Sequence, residues 1–313
     1  MEIQGTPPSF IERYFKVREK GTTIRTELLA GVTTFIAMAY ILFVNPNILA
    51  DAGIPKDAAI ASTIWIAALA SLAMGAFANY PVALAPGMGL NAFFAYYVCG
   101  VLGLHWTVAL GAVFFSGVLF LILTVGGIRQ AIINAVPRDL KLAISVGIGL
   151  FIAFIGLKGT GLIVENSATY VALGHVTAPT TLLSLFGLLF TAALMARNIH
   201  GAILIGIFVT TILAMAFGMT PAPQGFGDII STSLPHMGAT FGQLDLAGAW
   251  NYGLVSIIFT FTVVELFDNM GTLIGLTTKA KMVKPDGHIE NIDKALTTDA
   301  VGTMVSAVFG TST

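Results

Sequence analysis

Nine apolar stretches run along this chain of 313 residues, and eight of them are 17 to 25 residues long. A helix needs about 20 mostly apolar residues to cross a bilayer. Only 10% of the residues are charged, whereas soluble domains carry about 25%. The sequence therefore predicts a polytopic membrane protein in a lipid bilayer. The predicted segments are Leu28–Val44, Ala58–Ala78, Val82–Val101, Trp106–Val125, Leu140–Leu157, Thr180–Ala196, Gly201–Met219, Tyr252–Leu276 and the short, amphipathic Thr297–Gly310.

The distribution of Lys and Arg orients these segments. Five basic residues, from Arg13 to Arg25, precede the first segment. If successive loops are assigned alternately to the two sides of the membrane, thirteen of the fifteen Lys and Arg residues fall on the same side as the N-terminus. Only Lys56 and Lys158 lie on the other side. Because cytoplasmic loops carry the excess of basic residues, the N-terminus is predicted to be cytoplasmic. The net charge of -1 gives no basic surface for nucleic acid.

Two pairs of short motifs suggest an inverted repeat. ILFVNPNIL (Ile41–Leu49) in segment one resembles ELFDNMGTL (Glu265–Leu273) in segment eight, and SLAMG (Ser71–Gly75) resembles SAVFG (Ser306–Gly310). Seven segments separate the copies, so the second enters the membrane from the opposite side, as in many secondary transporters. The expected organisation is a cytoplasmic segment (1–27), a first repeat of seven segments (28–219), an extracellular loop with a surface helix (220–251) and the start of a second repeat (252–313).

Two acids, Glu265 and Asp268, interrupt the apolar run of segment eight. They are three residues apart and share one helix face. A charged side chain near the bilayer centre costs at least about 2.5–3.5 kcal/mol, so both are expected to face protein or a wet cavity, where one of them can carry a proton. This pattern favours a substrate and proton site. The alternative is an interfacial pair near the cytoplasmic end, beside Lys279 and Lys281.

Segment three contains VALAPGMGLNAFFAYYV (Val82–Val98), where Pro86, Gly87 and Gly89 disfavour a continuous helix. We expect an extended stretch and then a half-helix, whose free N–H groups face the membrane interior. Asn91 adds an amide suited to the edge of a flat heteroaromatic ring. The alternative is that the small residues only allow close helix packing.

Two weaker features lie near the end of the sequence. GTST (Gly310–Thr313) follows segment nine, and Thr311 and Ser312 are candidate ligand contacts through their hydroxyl and backbone groups. Asp299 is expected to cap segment nine, the alternative being a place in a proton path. No catalytic triad, zinc spacing or phosphate loop occurs in the sequence, so neither an enzyme, a metal nor a cofactor is predicted.

Four motifs of this chain together resemble the AzgA-type purine permeases of the nucleobase:cation symporter-2 (xanthine/uracil permease) superfamily. They are TTFIAMAYILFVNPNIL, APGMGLNAFF, ELFDNMGTLIG and FGTST. The resemblance implies an all-α polytopic fold of the uracil-permease type, with a 7+7 inverted repeat, a core and a gate domain, and short strands in the broken segments three and ten. It implies import of hypoxanthine, guanine or adenine across the plasma (inner) membrane with protons as the coupling ion. It leaves a homodimer open.

The resemblance also assigns residues to the site. Asp268 matches the substrate carboxylate of segment eight through D-N-M-G-T-L, and Gly89 and Asn91 match the glycine and polar residue of segment three. Thr272 falls near Asp268, and Glu265 lies one turn earlier. Asp268 and Glu265 are the candidates for proton coupling. The family's second essential acid belongs to segment ten, past the end of this sequence, so the chain is expected to correspond to part of a permease.

Three other functions remain open from the sequence. An anion carrier of the sulfate-permease type on the same fold needs a positive potential at its paired half-helices, which Asp268 opposes. An intramembrane metal enzyme would use Glu265 and Asp268, but no histidine or further acid is expected at their depth. A non-transporting, truncated membrane subunit would bind ligand without flux.

Overall fold

A computed structural model describes residues 9–125, 137–225, 236–251, 255–280, 282 and 291–312. Most of these residues are helical, and five helices among them are long and apolar enough to cross a membrane. The predicted all-α polytopic membrane protein is thereby confirmed. The five are Ile24–Asp51, Lys56–Ala78, Trp106–Val125, Pro179–Ala196 and Val255–Thr277, and shorter apolar helices are Met88–Val101, Gly149–Gly159 and Ala202–Ala216.

The helices follow the predicted segments closely. In chain order they are α1 (Phe10–Tyr14), α2 (Ile24–Met38), α3 (Ile41–Asp51), α4 (Lys56–Ala73), α5 (Met88–Ala92), α6 (Trp106–Val125), α7 (Arg138–Gly159), α8 (Pro179–Ala196), α9 (Ala202–Ala216), α10 (Leu246–Asn251), α11 (Val255–Lys279) and α12 (Ile292–Phe309). Two helices continue in π-helical geometry, α4 through Met74–Ala78 and α5 through Phe93–Val101. The predicted segment one consists of two consecutive helices, α2 and α3. Helix α10 is the helix expected in the 220–251 loop.

Some predicted features lie outside the described residues. They are the basic residues Arg129, Lys281 and Lys284, the first residues of segment eight (252–254), and Thr313.

Segment three is broken, as predicted. After α4 the chain turns at Asn79, whose backbone is left-handed (φ 54°), and it is neither helix nor strand until α5 begins at Met88. The hydroxyl of Ser71 on α4 holds this stretch, because it accepts from the Leu84 N–H and donates to the Leu84 carbonyl, both at 3.0 Å. The short strand expected here is not formed within the described residues, since Leu84 bonds to a side chain rather than to a neighbouring strand.

The strands that do form lie between segments five and six, where none was predicted. Strand β1 (Ile163–Asn166) pairs antiparallel with β2 (Tyr170–Leu173). The side chain of Asn166 closes the turn by accepting from the N–H groups of Ala168 and Thr169 at 2.9 and 3.0 Å. An asparagine at this position, between two short runs of β-branched and aromatic residues, was the available hairpin signal.

Helix α6 is the centre of the packed core, and α10, α11 and α12 all contact it. It approaches α12 most closely at Gly117. A Cβ there would lie 2.8 Å from Cγ of Met304 and 3.0 Å from Cγ2 of Thr303. The missing side chain of Gly117 therefore lets polar groups of α6 and α12 reach the same point on α11.

Replacing Gly117 with valine is expected to destabilise the protein, because the added methyl groups overlap α12. Overpacking of this kind costs about 1–3 kcal/mol. The matched control is Gly156→Val on α7, where a Cβ meets nothing within 4 Å. Both changes put the same β-branched residue into a helix, so differences in helix propensity cancel.

Thermal denaturation of the purified protein in detergent measures both variants. A lower midpoint for Gly117→Val than for Gly156→Val is expected. Equal midpoints would contradict the close packing of α6 against α12.

Candidate functional site

A cavity of about 430 Å³ lies where the broken segment three meets α4, α11 and α12. Its volume falls within the range of about 300–1,000 Å³ that is usual for small-molecule sites. The residues from Val82 to Leu90 line it, together with apolar residues of α4 and Ile152 of α7. The polar residues in its lining are Tyr40, Glu265, Asp268, Asn269, Thr272, Asp299, Thr303 and Ser306.

Helix α11 presents one face to this cavity. Glu265, Asp268, Asn269 and Thr272 all line it, and their spacing of three, four and seven residues is that of a single helical stripe. Asp268 is partly buried, and its carboxylate has no hydrogen bond or ion pair with any residue that the structure describes. Asp268 therefore offers an unoccupied acceptor to whatever enters the cavity.

Glu265 is held differently, at a junction of three helices. Its side chain is 2% exposed. Ser116 of α6 donates to its Oε2 at 3.1 Å, and Thr303 of α12 donates to its Oε1. Because lipid offers no hydrogen-bonding groups, these hydroxyls are what makes a carboxylate tolerable at this place. Its burial near the middle of α11 favours the site interpretation over an interfacial pair.

Asp299, for which the sequence favoured a capping role over a place in a proton path, lies inside α12 and lines the cavity. It is the eighth residue of α12, which begins at Ile292, so the expected capping role is wrong. Its carboxylate lines the cavity and accepts a hydrogen bond from Nδ2 of Asn269. The helix starts five residues before the predicted Thr297, so Asp299 lies about two turns into it rather than at its start.

The expectation of no further acid at the depth of Glu265 and Asp268 is also wrong, because Asp299 shares their cavity. Within the described part of the chain, no group of three or more His, Cys, Asp or Glu residues is arranged to hold a metal ion. Glu265, Asp268 and Asp299 thus bring three carboxyl groups to one cavity.

The residues predicted from segment three divide between the cavity and the layer behind it. Gly89 lines the cavity, as does the backbone on either side of it. Asn91 does not, because its side chain is fully buried and its Nδ2 donates to Oδ1 of Asn45 on α3. The Oδ1 of Asn91 has no partner among the described residues.

Thr311 and Ser312 lie in the same hidden layer as Asn91. Both are fully buried and neither lines the cavity. Thr311 Oγ1 accepts from Nδ2 of Asn45 at 3.3 Å, while Ser312 Oγ has no partner in the described part of the chain. Of the seven predicted site residues, the structure thus brings Gly89, Glu265, Asp268 and Thr272 to one cavity and places the other three behind its wall.

Comparison with known proteins identifies the family. A family model described as "Permease family" matches residues 25–313, which is nearly the whole chain. The chain belongs to the Permease family. The prediction of a transporter rather than an enzyme is thereby confirmed.

Curated relatives of this permease agree with that assignment. It is 51% identical to a putative permease of Methanocaldococcus jannaschii over 97% of this chain and 69% of the relative. It is 44% identical to the adenine permease AdeP of Escherichia coli (99% and 68%), and 40% identical to the guanine/hypoxanthine permease PbuO of Bacillus subtilis (95% and 69%). These relatives confirm the resemblance to purine permeases that the sequence motifs carry.

The contact between Thr303 and Glu265 predicts a stability effect. Thr303→Val keeps the shape of the side chain but removes a donor from a buried carboxylate, which costs about 1–3 kcal/mol. The control is Thr297→Val on the same helix, where the hydroxyl donates only to the carbonyl of Asp293, at 2.7 Å. That change is expected to stay within about 0.5 kcal/mol.

Chemical or thermal unfolding of the two purified variants compares these effects. A Thr303→Val protein as stable as Thr297→Val would show that the hydroxyl of Thr303 does not hold Glu265.

Proposed function

We propose that this permease imports purine nucleobases, hypoxanthine, guanine or adenine, across the plasma membrane by proton symport, with its N-terminus in the cytoplasm. The observation that carries the proposal is the carboxylate of Asp268, which has no hydrogen bond or ion pair among the described residues and lines a cavity beside a broken segment. The names of the relatives, an adenine permease and a guanine/hypoxanthine permease, support the substrate class.

The cavity supplies the groups that a purine needs. Purine rings carry N–H donors, and a carboxylate without other partners accepts such bonds strongly. In this proposal Asp268 accepts from ring N–H groups and Thr272 offers a hydroxyl to the ring edge. The backbone N–H groups around Gly89, at the start of the helical run Met88–Val101, donate to a carbonyl oxygen or ring nitrogen of the base. Apolar residues of α4, such as Ile66 and Met74, line the same cavity and suit the flat ring face.

The same groups disfavour the anion carrier. Glu265, Asp268 and Asp299 all line the cavity, and no Lys or Arg is among the lining residues that the structure describes. Three carboxylates repel a sulfate-like substrate, whereas a neutral base with N–H donors pairs with them. A neutral heteroaromatic substrate is therefore the better match.

Proton coupling is assigned to Glu265 and Asp268. The two partners of Glu265 are the hydroxyls of Ser116 and Thr303, and a hydroxyl both donates to a carboxylate and accepts from a carboxylic acid. The junction can therefore hold Glu265 with or without a proton. Asp268, which is open to the cavity, senses the substrate directly. Proton uptake at this pair would accompany loading of the base.

Movement of a core domain against a gate domain would then expose the site to each side of the membrane in turn. Ile152 of α7 also lines the cavity, and in the proposed organisation segment five belongs to the gate. The site would thus lie at the boundary between the two domains, where a relative displacement changes its access.

The inverted repeat receives support from two asparagines. Asn45 and Asn269 correspond in the aligned motifs ILFVNPNIL and ELFDNMGTL. Asn45 donates to Thr63 of α4, and Asn269 donates to Asp299 of α12. Both α4 and α12 have 18 residues, and in each the acceptor is the eighth. We therefore propose 28–219 as a first repeat and 252–313 as the start of a second, joined by an extracellular loop.

Removing the charge of Asp268 tests the substrate site. Asp268→Asn is expected to weaken hypoxanthine binding about 10- to 150-fold, because a hydrogen bond to a charged group contributes about 1.5–3 kcal/mol. The control is Asp293→Asn, which changes an exposed acid in the first turn of α12. Equilibrium binding of radiolabelled hypoxanthine to the purified protein gives both affinities.

Unchanged affinity in Asp268→Asn would reject the assignment of this carboxylate. Competition by unlabelled adenine, guanine and sulfate in the same assay compares the substrate classes, and displacement by sulfate would favour the anion carrier.

Proton symport predicts that a pH gradient drives accumulation. In proteoliposomes with an acidic exterior, hypoxanthine is expected to accumulate inside and to leak out when a protonophore is added. Glu265→Gln is expected to keep substrate binding within a few-fold and to lose gradient-driven accumulation, because an amide cannot take up the proton. Accumulation driven by a sodium gradient at equal pH would contradict proton coupling.

A further inference from the structure

Asn45 is a fully buried amide on α3 that the motifs did not mark as a site residue. Each of its polar atoms is used. Its Oδ1 accepts from Nδ2 of Asn91, and its Nδ2 donates to Thr63 Oγ1 at 2.8 Å and to Thr311 Oγ1 at 3.3 Å. One side chain thereby joins α3, α4, α5 and the residues that follow α12.

The orientation of this amide is determined by the next bond along the network. The hydroxyl of Thr63 donates to the carbonyl of Ala59 at 2.6 Å, so only its lone pairs are available to Asn45. The Nδ2 of Asn45 must therefore face α4, and its Oδ1 must face α5. Asn91 in turn can only donate to Asn45, which leaves the Oδ1 of Asn91 without a partner in the described part of the chain.

The far end of this network lies in the cavity wall. Asn91 belongs to the first helical turn after the break, two residues beyond Gly89 and next to Leu90, and both of those line the cavity. That turn begins directly after an extended stretch, so helical hydrogen bonds do not determine its position on the N-terminal side. The side chain of Asn91 adds a buried contact from this turn to Asn45.

We propose that Asn45 is a positioning residue of the transport site. Through Asn91 it holds the first turn of α5 in the register at which Gly89 lines the same cavity as Asp268. Asn45 contacts no substrate, and its effect on substrate affinity passes through Asn91. The inference rests on the proposed function, since the affinity in question is that for a purine base.

A double-mutant cycle measures whether the two asparagines act as one unit. The variants are Asn45→Ala, Asn91→Ala and the double substitution, each purified as the full chain. The ligand is radiolabelled hypoxanthine and the readout is its equilibrium dissociation constant. Each single change is expected to weaken binding about 10-fold, which corresponds to loss of about one buried hydrogen bond.

The double substitution is expected to bind hypoxanthine no more weakly than Asn91→Ala alone, because Asn45 has nothing left to position. Independent effects would multiply to a roughly 100-fold loss. A second readout is the ratio of hypoxanthine to adenine affinity, which a general loss of stability would not change. That ratio is expected to shift in the same direction in both single variants.

Asn47 is the matched control. It lies on α3 two residues from Asn45, but it is exposed, and its Nδ2 donates to the carbonyl of Phe43 in its own helix at 2.8 Å. Asn47→Ala is expected to bind hypoxanthine as the unmodified protein does, and its effect should be additive with Asn91→Ala. If Asn45→Ala fails to fold, Thr63→Val tests the network by removing one acceptor of Asn45 while conserving side-chain shape.

The results separate this inference from the proposed function. The positioning role would be overturned if Asn45→Ala bound hypoxanthine with wild-type affinity, or if the effects of Asn45→Ala and Asn91→Ala were fully additive. In either case, binding of hypoxanthine by the unmodified protein would still support the proposed function. Absence of hypoxanthine binding by the unmodified protein would overturn the proposed function, and the inference with it. Coupled losses in the cycle, with no effect of Asn47→Ala, would support the role of Asn45.

Discussion

A carboxylate buried in the middle of an apolar protein is the constraint around which this structure is organised. Lipid cannot hydrogen-bond to Glu265, so the protein must. It does so with hydroxyls from two other helices, α6 and α12. Those hydroxyls arrive only because α6 carries a glycine, Gly117, where α12 crosses it. One acid therefore ties three helices together, and two of them, α11 and α12, contribute residues to the cavity lining.

The break in segment three follows the same rule. Non-helical backbone at membrane depth is tolerated only where it is buried in protein or lines a cavity. Here it does both. Leu84 pairs its N–H and carbonyl with the hydroxyl of Ser71, and the residues from Val82 to Gly89 face the cavity. The non-helical stretch is thus held by α4 at Leu84 and forms part of the cavity wall.

Two layers of polar residues thus surround the cavity. The inner layer, with Asp268, Asn269, Thr272 and Asp299, lines the cavity and supplies acceptors and charge. The outer layer, with Asn45, Asn91 and Thr311, is fully buried and links the elements that form the wall. Neutral amides and hydroxyls suit the outer layer, because they form hydrogen bonds there without burying a charge. Asp268 and Asp299 line the cavity instead and are only partly buried.

The sequence was enough to predict a membrane protein, a break at Pro86–Gly89 and an acid-bearing face on α11. These predictions depend on the length of apolar stretches, on proline and glycine content and on helical period, all of which are properties of short stretches of sequence. The hairpin at Ile163–Leu173 was missed since its signal is a single asparagine between short runs. The inverted repeat and the proton coupling stay predictions.

The partners of the polar residues were decided by the tertiary structure alone. Nothing near Asp299 in the sequence shows that it meets Asn269, and the bond from Asn45 to Thr311 spans 266 residues. A buried polar group must be satisfied by some partner, and the sequence establishes that need. Which group satisfies it depends on how helices far apart in the chain cross, and so only the folded protein separates the residues of the cavity from those that support its wall.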